Sequence, residues 1–103
     1  MVFNHSLHVE LWTWRLFNPY KDKKEWPRWT KNGGDIKIPE LYCFACEYAF
    51  NHLGFFCAYC PLDFNGGYCD TLYKLSNNDD LKYRLQAIMY IRNTPVRAGV
   101  KYI

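Results

Sequence analysis

No stretch of uncharged apolar residues approaches the ~20 that a membrane-spanning helix needs, and this excludes such a helix. The opening, MVFNHSLHVEL, has no basic segment followed by a long apolar one. No secretory signal is therefore expected, and the expected compartment is the cytosol. Low-complexity tracts are missing, and the sole internal repeat is a pair of Cys-x-x-Cys steps. Neither H-E-x-x-H nor H-x-E combined with P-C-x-x-C occurs, so the common signatures of a catalytic zinc are absent. Half the residues are hydrophobic and 22% are charged, which excludes a disordered chain. At 103 residues the chain has the length of one domain, 1–103. Aromatics reach 19%, a composition that lets a small domain gain buried area from few side chains.

Acidic residues are missing after Asp80, where Lys82, Arg84, Arg92, Arg97 and Lys101 follow. Residues 21–31 carry Lys21, Lys23, Lys24, Arg28 and Lys31 against Asp22 and Glu25. Between them, residues 32–73 hold Asp35, Glu40, Glu47, Asp63 and Asp70 with Lys37 as the single cation. The formal charge is +3 with neutral thiols. A zinc ion held by four thiolates would bring it to about +1, so bulk charge argues little for nucleic acid. Its distribution, basic at both ends and acidic in the middle, suits either ordinary solvated surface or faces for different partners.

Helical spacing of Leu7, Leu11 and Trp14 predicts a helix over 5–17, begun by Asn4 or Ser6 and stopped at Asn18-Pro19. A strand is the rival, since Trp12, Trp14 and Leu16 alternate. Residues 18–42 read as irregular, because each of Pro19, Pro27 and Pro39 disfavours helix at the residue before it. Trp26 and Trp29 are expected to pin that stretch onto the helices. A short helix over 44–53, a turn-rich loop over 55–69 and a helical turn over 70–76 follow. Asn77 to Asp80 signal the start of a helix over 81–93 whose apolar face is Leu81, Leu85, Ile88 and Met89, with Ile91 nearby. Thr94-Pro95 ends it.

Five cysteines in a cytosolic chain point to metal more than to disulfides, and an odd count leaves one unpaired. They read Cys43-Phe-Ala-Cys46, then Cys57-Ala-Tyr-Cys60, then Cys69. Each Cys-x-x-Cys turn presents two thiolates whose charge neighbouring amides can stabilise. Two such turns complete a tetrahedral sulfur shell, the geometry of zinc or iron, and zinc is the expected metal. A thioredoxin-like redox pair would need a βαβ setting that is missing. Cys43, Cys46 and Cys60 are the first three expected ligands. Cys57 is the expected fourth, with Cys69 as the alternative and His52 as a remoter substitute. Four thiolates close the shell, so this single zinc would be structural, with no open position for a substrate. His5 and His8 share a helix face without an acidic partner to complete a metal or nucleophile set. The fold expected is an α-rich small α+β domain, its short helices grouped around a structural zinc site of four cysteines.

The order of motifs, L-W-T-W, N-P-Y-K-D-K, W-P-R-W, N-G-G, C-F-A-C-E-Y, C-A-Y-C-P-L-D, a further cysteine and I-R-N-T-P-V-R, resembles small cysteine-rich proteins encoded by phages and prophages of Gram-positive bacteria. It spans residues 7–98, with the cysteine string and C-P-L-D as its most specific parts. The resemblance implies a non-enzymatic anti-CRISPR protein acting in the bacterial host cytoplasm. It would inhibit a type II effector such as Cas9 by blocking DNA loading or cleavage. The chain is not acidic overall, which points to protein-surface binding rather than DNA mimicry. A monomer is expected, with Lys23, Lys24, Arg28, Arg84 and Arg97 as the exposed partner-binding positions. The alternatives are a small nucleic-acid-binding zinc protein, with Tyr83 and Tyr90 stacking bases, and a structural zinc module of another phage role.

Overall fold

The computed structural model describes residues 2–37, 44, 45, 48, 49, 60–64 and 69–103. Three helices organise them: α1, His5–Phe17; α2, Cys69–Leu75; and α3, Leu81–Asn93. Among the described residues β structure is limited to three isolated bridges, so the chain is α-rich. Residues 44, 45, 48 and 49 are helical. The remainder of the helix expected over 44–53, and most of the loop expected over 55–69, lie outside the described residues.

Helix α1 begins where Asn4 Oδ1 accepts the Leu7 N–H at 3.0 Å, one of the orphan amides of a first turn. It ends where Asn18 donates Nδ2 to the Trp14 carbonyl at 2.9 Å and its backbone N–H to that of Arg15 at 3.2 Å. Asp80 caps α3 by accepting from the Lys82 N–H at 2.9 Å. Helix α3 packs against both α1 and α2. The buried faces are rotated from the expected ones. Helix α1 buries His8, Leu11, Trp12 and Arg15 most deeply, and Leu7 and Trp14 of the expected stripe are half-buried against Leu11. Helix α3 buries Arg84, Ala87, Ile88 and Ile91, while Leu81 and Met89 are exposed.

Three polar side chains on those faces explain the rotation, because each finds partners inside. The His8 imidazole is fully buried and its Nε2 lies 3.0 Å from the Ile91 carbonyl, 83 residues along the chain. Nε2 is therefore the protonated nitrogen of a neutral ring. Arg15 donates to Ser76 Oγ, the Ser76 carbonyl and Asn77 Oδ1, each at 3.1 Å, and so ties α1 to the end of α2. Arg84 donates to the Asn78 carbonyl at 2.6 Å and the Pro19 carbonyl at 2.7 Å, tying the start of α3 to the chain leaving α1. Arg92 adds a bond to Thr13 Oγ1 at 2.6 Å between α3 and α1.

Burial pushes the His8 pKa down to about 4 from its ordinary 6.5, against the opposing pull of the Ile91 carbonyl. The unfolded chain therefore takes up a proton below pH 6.5 that the folded one refuses. The stability this neutral ring contributes is complete above pH 6.5 and lost as pH falls toward 4, by about 3 kcal/mol in all. Denaturant midpoints followed from pH 7 to about 4 should fall across that window. The fall should be shallower in His8→Gln, which keeps a donor toward the Ile91 carbonyl. Equal slopes would remove His8 from the acid response.

The irregular stretch after α1 is built from short turns. Asp22 and Glu25 form a capping box around a 3-10 turn, Lys23–Glu25. A second turn, Thr30–Asn32, ends at Gly33, whose φ of 92° favours glycine. Gly34 is required for a different reason: a Cβ there would lie 2.1 Å from the Arg28 carbonyl carbon. The loop closes through Ile36 N–H to the Arg28 carbonyl at 2.8 Å. Trp26 is buried with Leu11, and the half-buried Trp14 and Trp29 pack around them. This agrees with the expectation that tryptophans pin the segment to the helices.

Candidate metal centre and partner surface

Most of the expected zinc shell falls outside the described residues. Cys43, Cys46, Cys57 and the substitute His52 lie there, and of Cys69 the backbone alone, opening α2, is described. Among the described residues no group of three or more His, Cys, Asp or Glu could hold a metal ion. Cys60 is buried in the larger core cluster with Phe3, Trp12, Ala45, Leu62, Ile88 and Ile91. Ala45 sits between Cys43 and Cys46, so a residue of the first Cys-x-x-Cys step and the last cysteine of the second share one cluster. Phe44, from the same first step, packs against it, as do Leu72 and Tyr73 of the helix that Cys69 opens. The three segments that carry the five cysteines thus border one apolar core.

The residues after Cys60 are held in register by the C-terminal motif. Leu62 and Val96 form an antiparallel bridge. Asp63 N–H donates to the Pro95 carbonyl at 2.9 Å and Arg97 N–H to that of Pro61 at 2.7 Å. C-P-L-D and T-P-V-R, separate in sequence, are therefore paired in space. Pro61 and Leu62 are fully buried, which fixes the chain as it leaves Cys60.

If the shell is completed by local closure, the fourth ligand is Cys57 rather than Cys69. Replacing each by Ser and measuring bound zinc decides between them. Loss of zinc from Cys57→Ser with retention in Cys69→Ser is the expected result. The reverse pattern would move the fourth ligand to the start of α2.

The five basic positions expected at a partner surface divide sharply. Lys24 and Arg97 are exposed. Arg28 is half-buried and engaged: it reaches Glu10 of α1 at 2.6 Å and Asp35 at 3.2 Å, bonds that raise its pKa. Lys23 and Arg84 are buried, 7% and 8% exposed, which corrects their placement on the surface. Burial of Arg84 follows from the two carbonyls it satisfies and from the Tyr20 ring, whose centroid lies 4.6 Å from the guanidinium carbon. Lys23 turns inward with its 3-10 turn. Arg15, which sequence patterning missed, is the more deeply buried arginine, and burial lowers its pKa from the ordinary value. The signal available for it was its place in the series 8, 11, 12, 15, which shares one helix face.

Exposed apolar side chains sit elsewhere. Phe17 and Tyr20 flank the end of α1, and Tyr83, Met89 and Tyr90 lie on the outer face of α3. Beside that face is a cleft of about 440 Å³ lined by Asp63, Gln86, Met89, Tyr90, Asn93 and Pro95. Phe64 stacks on Tyr90 at its edge, with ring centroids 6.4 Å apart. No helix among the described residues is long and apolar enough to cross a membrane. Comparison with models of protein families, with curated proteins and with solved structures gives no match.

Proposed function

We propose that the chain is a non-enzymatic, zinc-stabilised phage or prophage protein that binds and inhibits a bacterial defence protein. The target of this reading is a type II CRISPR nuclease of the Cas9 kind, stopped at DNA loading or cleavage in the host cytoplasm. The motif order that resembles small cysteine-rich phage proteins supports the inhibitor role. The metal part is carried by one observation: the three cysteine-bearing segments border the same buried cluster, with Cys60 and Ala45 inside it. One structural zinc would be held by Cys43, Cys46, Cys60 and Cys57, with Cys69 as the alternative fourth. Zinc with four thiolates supplies rigidity and no chemistry of its own. Inhibition needs none, since occupying the surface on which nucleic acid loads or a domain docks is sufficient.

A cleavage assay tests the reading. A type II ribonucleoprotein should lose target cleavage when the purified chain is added at equal concentration, before or after DNA. Cleavage undiminished across several type II effectors would remove the nuclease as target. A second reading, binding to single-stranded nucleic acid, is favoured by the exposure of Tyr83 and Tyr90 on α3 beside Lys82. A salt titration separates the two. Phosphate contacts make log affinity fall steeply with log salt, whereas a protein interface gives a shallow slope. The shallow slope, with no binding to an oligonucleotide at physiological salt, is the expected outcome.

A further inference from the structure

We infer that His5 and His8 of α1 are the protein ligands of a second, exchangeable metal site, one that takes a late first-row divalent ion such as zinc. The site is separate from the one proposed for the cysteines and does not depend on it. Among the described residues, three buried side-chain polar atoms have no hydrogen-bond partner: His5 Nε2, His8 Nδ1 and Trp12 Nε1. All three belong to α1, and two of them are imidazole nitrogens one turn apart. A buried polar atom left unpaired costs stability, so each calls for an occupant.

The state of the His8 nitrogen is fixed by its surroundings. His8 is fully buried, and its Nε2 donates to the Ile91 carbonyl at 3.0 Å. The proton thus sits on Nε2, and Nδ1 carries a free lone pair in the plane of the ring. Metal-bound imidazoles are oriented in the same way: one nitrogen donates to a carbonyl or carboxylate while the other holds the ion. The carbonyl belongs to α3, so tertiary structure rather than the ring's own helix sets its direction. His5 is half-buried, with Nε2 on its covered edge. Phe3 lies against both rings, its centroid 5.9 Å from that of His5 and 6.1 Å from that of His8. Tyr102 stands edge-on to His5 at 5.6 Å. Both imidazoles are therefore positioned before any ion arrives.

Spacing and donor type name the ion. Residues three apart share a helix face, and the His5 and His8 ring centroids are 5.8 Å apart. With metal–nitrogen bonds of about 2.0–2.1 Å, two imidazoles on one tetrahedral ion place their centroids about 5–6 Å apart. The ring planes differ by 19°, an angle that a shared ion permits because each ring turns about its own metal–nitrogen bond. Neutral imidazoles suit zinc, copper and nickel, whereas calcium and magnesium take oxygen ligands. Two neutral ligands leave the ion its full charge and its other positions to water, which the open side of His5 admits. The Trp12 indole N–H is a donor only, so it is no ligand and is left to a solvent oxygen. A site of two imidazoles is weaker than one of four thiolates and releases its ion during purification.

Zinc titration tests this on the full chain at pH 7, once the metal it carries from purification has been quantified. Equilibrium dialysis should show one further zinc per chain at saturation. In ¹⁵N-histidine spectra the His8 Nδ1 and His5 Nε2 signals should move together with that uptake, while His8 Nε2 keeps its proton. His8→Gln retains a donor toward the Ile91 carbonyl and loses the lone pair of Nδ1. His5→Gln makes the same test at a half-buried position, and decides the matter if His8→Gln does not fold. Each should weaken the further uptake at least tenfold, with resident metal and helical spectrum unchanged. No further zinc, uptake undiminished in both variants, or nitrogen signals that stay in place would each overturn the inference. Loss of the resident zinc from a folded histidine variant would also overturn it, by making that histidine a ligand of the purified protein's own metal.

Discussion

Cys43→Ala, or Cys46→Ala, should leave a chain that no longer folds. A structural zinc bound by four thiolates contributes ~10–16 kcal/mol, which is as large as the whole stability of a typical small domain. The larger cluster draws Ala45 and Cys60 from the cysteine-bearing segments, and Phe44, Tyr48, Leu72 and Tyr73 pack on it from segments next to cysteines. Losing the metal would release those segments together and expose Trp12 and Ile88 beneath them. Far-UV circular dichroism should show loss of most helical signal in either variant, and chelation of the wild-type protein should reproduce it. A variant that retained its helical spectrum and its full metal content would show that the substituted cysteine is not a ligand.

Arg84→Glu should cost on the order of 3–5 kcal/mol, the range for an uncompensated charge left inside a protein. The arginine is 8% exposed and satisfies the carbonyls of Asn78 and Pro19. A carboxylate there would face two oxygens that it cannot bond and would leave both without a donor. In a chain of this length that loss lowers the thermal midpoint by roughly 12–40 °C. Lys24→Glu, at an exposed position, should move it by no more than about 2–4 °C. Calorimetry of the two variants makes the comparison. Similar midpoints would place Arg84 at the surface and return it to the candidates for direct partner contact.

The contrast between these two positions shows what could be read from the chain. Helix boundaries were legible because their chemistry is local: Asn4 caps α1, Asn18-Pro19 stops it, Asp80 caps α3 and Thr94-Pro95 follows it. Trp26 was legible as a pin because a tryptophan between turn residues has few other uses. The helix faces were legible in part: Leu11, Ile88 and Ile91 are buried as expected, and the buried polar members were missed. His8, Arg15 and Arg84 look like surface residues until their partners are known, and those partners are the oxygens of residues up to 83 positions away. A hydropathy pattern treats them as polar and rotates the face toward Leu7 and Trp14, or toward Leu85 and Met89. The basic partner surface failed at Lys23 and Arg84 for the same reason, since charge in a sequence carries no record of direction. The cysteine constellation is read from spacing. The fold adds that Cys60 and Ala45 share a core, while Cys43, Cys46 and Cys57 lie outside the described residues.

In the proposed reading one zinc ion holds this small domain together. Elemental analysis of the protein, purified without added metal and quantified by amino-acid content, is the decisive measurement. One zinc per chain is expected, released by a mercurial reagent that modifies the cysteine thiols and lost together with helical structure. A zinc content near zero in folded protein, or an iron chromophore in its place, would contradict the proposal.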